Sequence, residues 1–315
     1  MRGGSSMGYK LAGYHHLGGV ELDPDVALVY NHNHHPQYLY NEDIRAFNER
    51  EDLPGELYNL DLLDGSPPCS TFSMAGDREG AWGKEKVFRE GQKKQRLDDL
   101  VFVYCDTIAK LKPKVCLLEN VSGLVKGNAK SYAKRICKRM DEIGYNVQIF
   151  LLNAATMGVP QARERVFFIG ARKDLNLPKL VLNFNEPPIP FRMVQDGLGK
   201  PISDYALQAW KCRQPQDGGL ADSKKRAGMK VSDFNSRYLK ANDVSGTLAT
   251  NPCGKILYDK PIYISDTEAQ RIGIYPMDYD TCGKVGIQYL IGMSVPPVMT
   301  AQIANQIYLQ WLSKL

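Results

Sequence analysis

The chain has 315 residues, 43% hydrophobic and 24% charged, with a formal net charge of +5 and a pI near 8.7. This is an ordinary globular composition, long enough for one large core and a smaller lobe, and no apolar run reaches membrane-spanning length. The mild positive charge permits an anionic partner such as nucleic acid. Seven cysteines with neither CxxC spacing nor a disulfide framework fit reduced thiols, and the N-terminus shows no signal pattern, so a cytoplasmic setting is expected.

In chain order, Leu17 to Leu22 reads as a short strand, Val26 to His32 as a helix and Tyr38 to Tyr40 as a strand. Leu57 to Leu63 reads as a strand running into the turn Gly65-Ser66-Pro67-Pro68, with Cys69 directly after it. The apolar spacing of Leu100, Val101, Val103, Tyr104, Ile108 and Leu111 predicts a helix from Asp98 to Leu111. Pro113 to Leu118 is the next expected strand, ending in Glu119-Asn120-Val121. Ala129 to Ile143 is a helix stopped by Gly144, and Val147 to Leu152 and Val166 to Ala171 are strands. This alternation argues for an α/β fold with a doubly wound, mostly parallel sheet. From Pro178 to about Phe234 the chain is rich in Pro, Gly, Gln and Lys and weakly periodic, which marks a small separate lobe. A helix then starts at Asp266 or Thr267, and a last one runs from Pro296 to Leu312 behind prolines.

A thiol after a strand stands at the carboxyl edge of the sheet, where open α/β folds place their chemistry. Taken singly, Cys69 would more often be a small core residue, Glu119-Asn120 a strand-end turn, and Arg163-Glu164-Arg165 a solvated cluster. The segment from Ser70 to Arg96 carries several glycines and three more basic than acidic residues, the composition of a functional or solvated loop. His32, His34 and His35 lie at a helix end without paired ligands elsewhere in the sequence, so no metal site is expected.

Four motifs occur in order: Pro67-Pro68-Cys69, Glu119-Asn120-Val121, Gln161-Ala162-Arg163-Glu164-Arg165 and Gly292-Met293-Ser294-Val295-Pro296-Pro297. Together they resemble the DNA (cytosine-5) methyltransferase family, of bacterial or phage type. The resemblance implies an S-adenosylmethionine-dependent methyltransferase that acts on carbon 5 of cytosine in duplex DNA. It casts Cys69 as the nucleophile that adds to carbon 6, Glu119 as the acid at the N3 edge of the base, and Arg163 and Arg165 as its orienting partners. Burial would supply the raised pKa that a protonated Glu119 needs. For the cofactor it implies Gly3, Gly4, Glu21, Asp43, Ser66, Pro68 and Ser294. For DNA it implies Ser70, Arg78, Lys84, Lys86 and Arg89 on a lid over an extruded base, with Gln161, Arg192 and Arg213. The implied layout is a catalytic and cofactor-binding domain over 1–177, a target-recognition lobe over 178–234 and a return segment over 235–315 that completes both.

The sequence departs from the family in places. Family members carry a strand and a Phe-x-Gly turn before the residues matching Gly3-Gly4, whereas here Met1-Arg2 precede them; the first strand and first half of the cofactor motif are therefore expected to be lacking. Ser70 and Met293 stand where glutamine and asparagine are usual. Two rival readings follow: a truncated or degenerate DNA-binding relative without activity, and a tRNA cytosine-5 methyltransferase. The Cys-Phe-Thr signature of the tRNA relatives is not seen, since Ser70-Thr71-Phe72 follows Cys69. A monomer and a cognate restriction endonuclease as functional partner are expected from the family type.

Overall fold

The computed structural model describes residues 3–68, 99–126, 129–231, 236–251 and 254–315. Cys69, Ser70, Arg78, Lys84, Lys86 and Arg89 lie outside the described residues. The chain opens with α1 (Gly4–Leu11), β1 (Gly18–Val20), α2 (Pro24–His34), β2 (Tyr38–Tyr40), α3 (Ile44–Glu49) and β3 (Leu62–Gly65). It continues through α4 (Leu100–Leu111), β4 (Val115–Val121), α5 (Lys130–Glu142), β5 (Tyr145–Asn153), β6 (Gln161–Ala162) and β7 (Glu164–Arg172). The lobe and return segment contain α6 (Asp204–Lys211), α7 (Leu220–Arg226), β8 (Arg237–Leu239), β9 (Ser245–Gly246), β10 (Lys255–Leu257), α8 (Asp266–Gly273), α9 (Ile287–Met293) and α10 (Pro297–Gln310).

The central sheet has the order β3-β4-β7-β5. Its strands β4 and β7 alternate between two cores. Cys116, Leu118, Val166 and Phe168 face α4 and α5 through Val101, Ile108, Ile136 and Met140. Val115, Leu117, Phe167 and Ile169 face Met299, Ile303 and Ile307 of α10. This period of two, apolar on both sides, is that of a strand buried between helical layers. The α/β architecture is thus as expected, but the sheet is mixed: β3 runs parallel to β4, while β7 is antiparallel to both β4 and β5. The short β5–β7 connection allows only that sense, since a parallel neighbour needs a long crossover.

β1 pairs in parallel with β2 alone, as a separate two-stranded sheet. Among the described residues no strand joins β1 to β3. Both sheets instead line one cleft of about 2210 Å³, bounded by Leu17 to Leu22 on one side and Asp61 to Pro68 on the other. Accordingly β1 and β3 are only half-buried, unlike β4.

Local differences from the sequence reading have local causes. Pro54-Gly55 opens a 3-10 turn over Gly55–Tyr58, so the strand before the Pro-Pro turn begins only at Leu62. Glu119, Asn120 and Val121 belong to β4 itself rather than following it. Helix α1 carries no readable period because two of its eight residues are glycine; packing against α10 holds it. Ser265, not Asp266 or Thr267, caps α8, and Glu268 completes a capping box. The lobe has a small core of Ile202, Ala206, Ala209, Leu220, Tyr238 and Ile256, which draws on residues beyond 234.

Candidate active site

The carboxyl ends of β3 and β4 and the amino end of the antiparallel β7 meet at the cleft. In the β4–β7 register Val121 lies opposite Arg165 and Glu119 opposite Phe167, so Glu119 and Arg165 are diagonal neighbours on one face. The Arg165 Nε donates to Glu119 Oε1 at 2.9 Å, with both side chains largely buried. Burial draws the Arg165 guanidinium down from its usual pKa, and the Glu119 carboxylate opposes that. An ion pair this dry is costly to break, so it fixes the orientation of the carboxylate.

Asn120, on the opposite face of β4, is 4% exposed. Its Nδ2 donates to the Pro67 carbonyl at 3.1 Å, and its Oδ1 accepts from the Val121 amide at 2.9 Å. It thereby ties the Pro-Pro turn that leads to Cys69 to the strand that carries Glu119. Tyr104 braces the same strands, donating to the carbonyls of Leu63 and Leu117 at 2.9 Å each.

Two motif residues act differently from the expectation. Arg163 is not bonded to Glu119: its guanidinium runs inward and donates to the carbonyls of Gly292 at 2.9 Å and Leu248 at 3.1 Å. Burial pushes its pKa well down, and it fastens the return segment to β6. Gln161, placed on DNA from the motif, is 1% exposed. Its Nε2 donates to the Ile272 carbonyl and its Oε1 accepts from the Leu248 amide, so its amide is engaged by backbone groups of the return segment.

All seven residues assigned to the cofactor line the cleft. Gly3 precedes α1 as its N-cap with φ 87°, and a Cβ there would collide with the Tyr279 hydroxyl. A Cβ on Gly4 would meet the Val295 carbonyl at 2.1 Å, so only glycine lets the helix start pack on Ser294-Val295. Glu21 follows β1 directly; its Oε1 accepts from the Asp23 amide at 3.0 Å, and it is 8% exposed. Asp43 caps α3 through the Arg45 amide and also meets the Arg45 guanidinium. Ser294 is buried and accepts from the Tyr275 hydroxyl, whereas Ser66 is exposed. The glycines leave an open cradle, and the Glu21 and Asp43 carboxylates just past β1 and β2 are acceptors of the kind that ribose hydroxyls and an exocyclic amine require, so these residues fit S-adenosylmethionine.

Asp64, which the sequence reading passed over, projects from β3 into the cleft. Burial pushes its carboxyl up to about 6. Across the cleft, β8 and β10 place Arg237 and Lys255 in register, two cations side by side. Burial, then Arg237, lowers the Lys255 ammonium to about 8. No sequence signal marks this pair, because only strand pairing brings it together. The lobe cations proposed from sequence are placed elsewhere. Arg213 stacks with its guanidinium carbon 3.2 Å from the Trp210 ring centroid and donates to the Tyr258 carbonyl. Arg192 is exposed, bonded to Asn242 at 2.8 Å, and outside the cleft lining.

Comparison with known proteins agrees with this geometry. The family model for C-5 cytosine-specific DNA methylases matches residues 2–309. The Type II methyltransferase M.NgoMIV of Neisseria gonorrhoeae is 31% identical over 97% of this chain and 94% of its own length. M.FnuDI of Fusobacterium nucleatum is 37% identical, over 56% of this chain and 46% of its own, so the chain matches about half of that relative. A mutant of Spodoptera frugiperda DNMT2 shares the fold, with a TM-score of 0.66, 16% identity, and coverage of 98% of this chain and 97% of that one. The chain belongs to the C-5 cytosine-specific DNA methylase family. Its class is thus the S-adenosylmethionine-dependent DNA (cytosine-5) methyltransferases.

Proposed function

We propose that this chain methylates cytosine in duplex DNA with Cys69 as nucleophile and the Glu119–Arg165 pair as the group that reads the base. The ion pair at 2.9 Å, tied through Asn120 to the Pro-Pro turn, is the observation that carries the reading. Carbon 5 of cytosine is a poor nucleophile, and addition of the Cys69 thiolate to carbon 6 turns the ring into an enamine. Glu119, held in one orientation by Arg165, meets the N3 edge as an acid and gives it a proton as the thiolate adds, which neutralises the charge pushed into the ring. When bound, S-adenosylmethionine supplies an electrophilic methyl group. Gly3, Gly4, Glu21, Asp43, Ser66, Pro68 and Ser294 would hold it in the cleft that they line. Once carbon 5 carries the methyl group, loss of its proton to a solvent base and expulsion of the thiolate restore the aromatic ring and free Cys69.

The base must leave the stack to be reached. Arg78, Lys84, Lys86 and Arg89, with Ser70, act on the strand around it, while Arg237 and Lys255 supply cations on the opposite wall. Relatives that are Type II methyltransferases support a restriction-modification role, with an endonuclease reading the same site and a cytoplasmic setting. The enzyme is expected to act as a monomer. Transfer of radiolabelled methyl groups to DNA tests the proposal: Cys69→Ser abolishes transfer, and the native thiol forms a covalent adduct with DNA containing 5-fluorocytosine. Unchanged turnover by Cys69→Ser would refute it, and preference for tRNA over duplex DNA in direct competition would reassign the substrate.

The separation of β1 from β3 favours a second reading, a DNA-binding relative without activity. Calorimetric titration with S-adenosylmethionine separates the two, since that relative binds DNA and gives no cofactor heat.

A further inference from the structure

Helix α2 ends with His32 on its outer side, remote in sequence from the loop after α8. In the fold the two meet. The His32 Nε2 lies 3.2 Å from Asp280 Oδ2, and the ligand atoms of His32, Asp280 and Cys282 all lie within 4.8 Å of one another. The edge of a tetrahedron built from metal–nitrogen, metal–oxygen and metal–sulfur bonds of about 2.0–2.3 Å is about 3.3–3.8 Å long. Small adjustments of two side chains therefore bring the three atoms onto one coordination sphere. Of the three histidines at this helix end, His32 acquires neighbouring ligand atoms, and only through the fold.

The surroundings hold this arrangement in place. Asn33, next to His32, donates its Nδ2 to the Asp280 carbonyl at 2.7 Å and accepts from the Asp280 amide at 2.9 Å. The Cys282 amide donates to Asp280 Oδ1 at 2.7 Å, which turns Oδ2 toward His32. Such outer contacts orient a first set of ligands and fix which atom each presents.

We propose that His32, Asp280 and Cys282 form a binding site for a borderline-soft divalent transition metal, of which zinc is the model, with water as the fourth ligand. A mixed nitrogen, oxygen and sulfur set suits zinc or cobalt and disfavours magnesium and calcium, which take all-oxygen shells. The metal displaces the thiol proton of Cys282 and forms a bond to the thiolate, so binding releases a proton to buffer. Its place in the molecule gives it a structural role. The loop it would pin to α2 also carries Tyr279, whose hydroxyl bonds the buried His34 at 3.3 Å and closes over Gly3. A bound ion thus clips that support of the α1 start to helix α2.

Cobalt(II) titrated into the reduced full-length protein is the test. The expected result is one equivalent bound, with the visible bands of tetrahedral cobalt and a near-ultraviolet sulfur-to-cobalt band. Cys282→Ser removes the sulfur band, and His32→Ala weakens binding at least about tenfold. Cys212→Ser, at an exposed thiol outside the site, leaves the spectrum unchanged. Zinc raises the melting temperature of the native protein but not that of Cys282→Ser, and circular dichroism with methyl transfer in chelator establishes that the variant is folded. Absence of the sulfur band in the native protein, or its persistence in Cys282→Ser, would overturn the assignment.

Discussion

Lys255 offers a direct measure of what the cleft is built to bind. It is 8% exposed, and its register partner on β8 is another cation, Arg237. Burial and that neighbour lower its ammonium from 10.5 to about 8. At about 1.36 kcal/mol per pH unit, holding the charge there costs the folded state about 3 kcal/mol. The unfolded chain binds this proton more tightly, so the penalty applies in full below pH 8 and fades as pH rises toward 10.5. Lys255→Met keeps the volume and removes the charge. It should stabilise the free protein at pH 7 by about 1–3 kcal/mol in urea denaturation. The same change should weaken DNA binding and reduce the slope of log affinity against log salt by about 0.9, the signature of one lost phosphate contact. Fluorescence anisotropy at several salt concentrations measures that slope. A variant that is less stable than the native protein, or that keeps the full salt slope, would refute the view that the cleft keeps an unfavourable charge for a nucleic-acid anion.

Other consequences are equally direct. Arg165→Lys retains a positive charge but loses the Nε contact to Glu119; turnover should fall about 100-fold with little change in DNA affinity, as measured by single-turnover methyl transfer and by binding. Asp64 has its carboxyl raised from 3.8 to about 6, so its charged form weighs against the fold above pH 6 and the effect disappears as pH falls toward 3.8. Asp64→Asn should therefore gain stability over the native protein by about 3 kcal/mol at most at pH 7.5 and clearly less at pH 5; a pH-independent difference in urea denaturation would contradict this. Amide hydrogens of β1 and β3 should exchange faster than those of β4 and β7, because the first two strands are half-buried beside the open cleft and the last two lie between helical layers; mass spectrometry after deuterium labelling reports it.

Much of this protein is written in residue order. The apolar spacing of α4 and the runs that became β4 and β7 need only local periodicity and burial, and both appear where that pattern places them. The Glu119 and Arg165 pair was legible as well, because short motifs at strand ends converge at one edge of an α/β sheet. Tertiary structure decided the rest. Arg163 and Gln161 sit in the same motif as Arg165, yet the return segment offers them carbonyls and amides that only folding brings near, and a buried polar side chain takes the partners within reach. Arg237 beside Lys255, and His32 beside Asp280 and Cys282, are separated in sequence by ordinary loops and elements. Strand register and helix packing alone set those distances, and no linear pattern encodes a spacing that exists only across the fold.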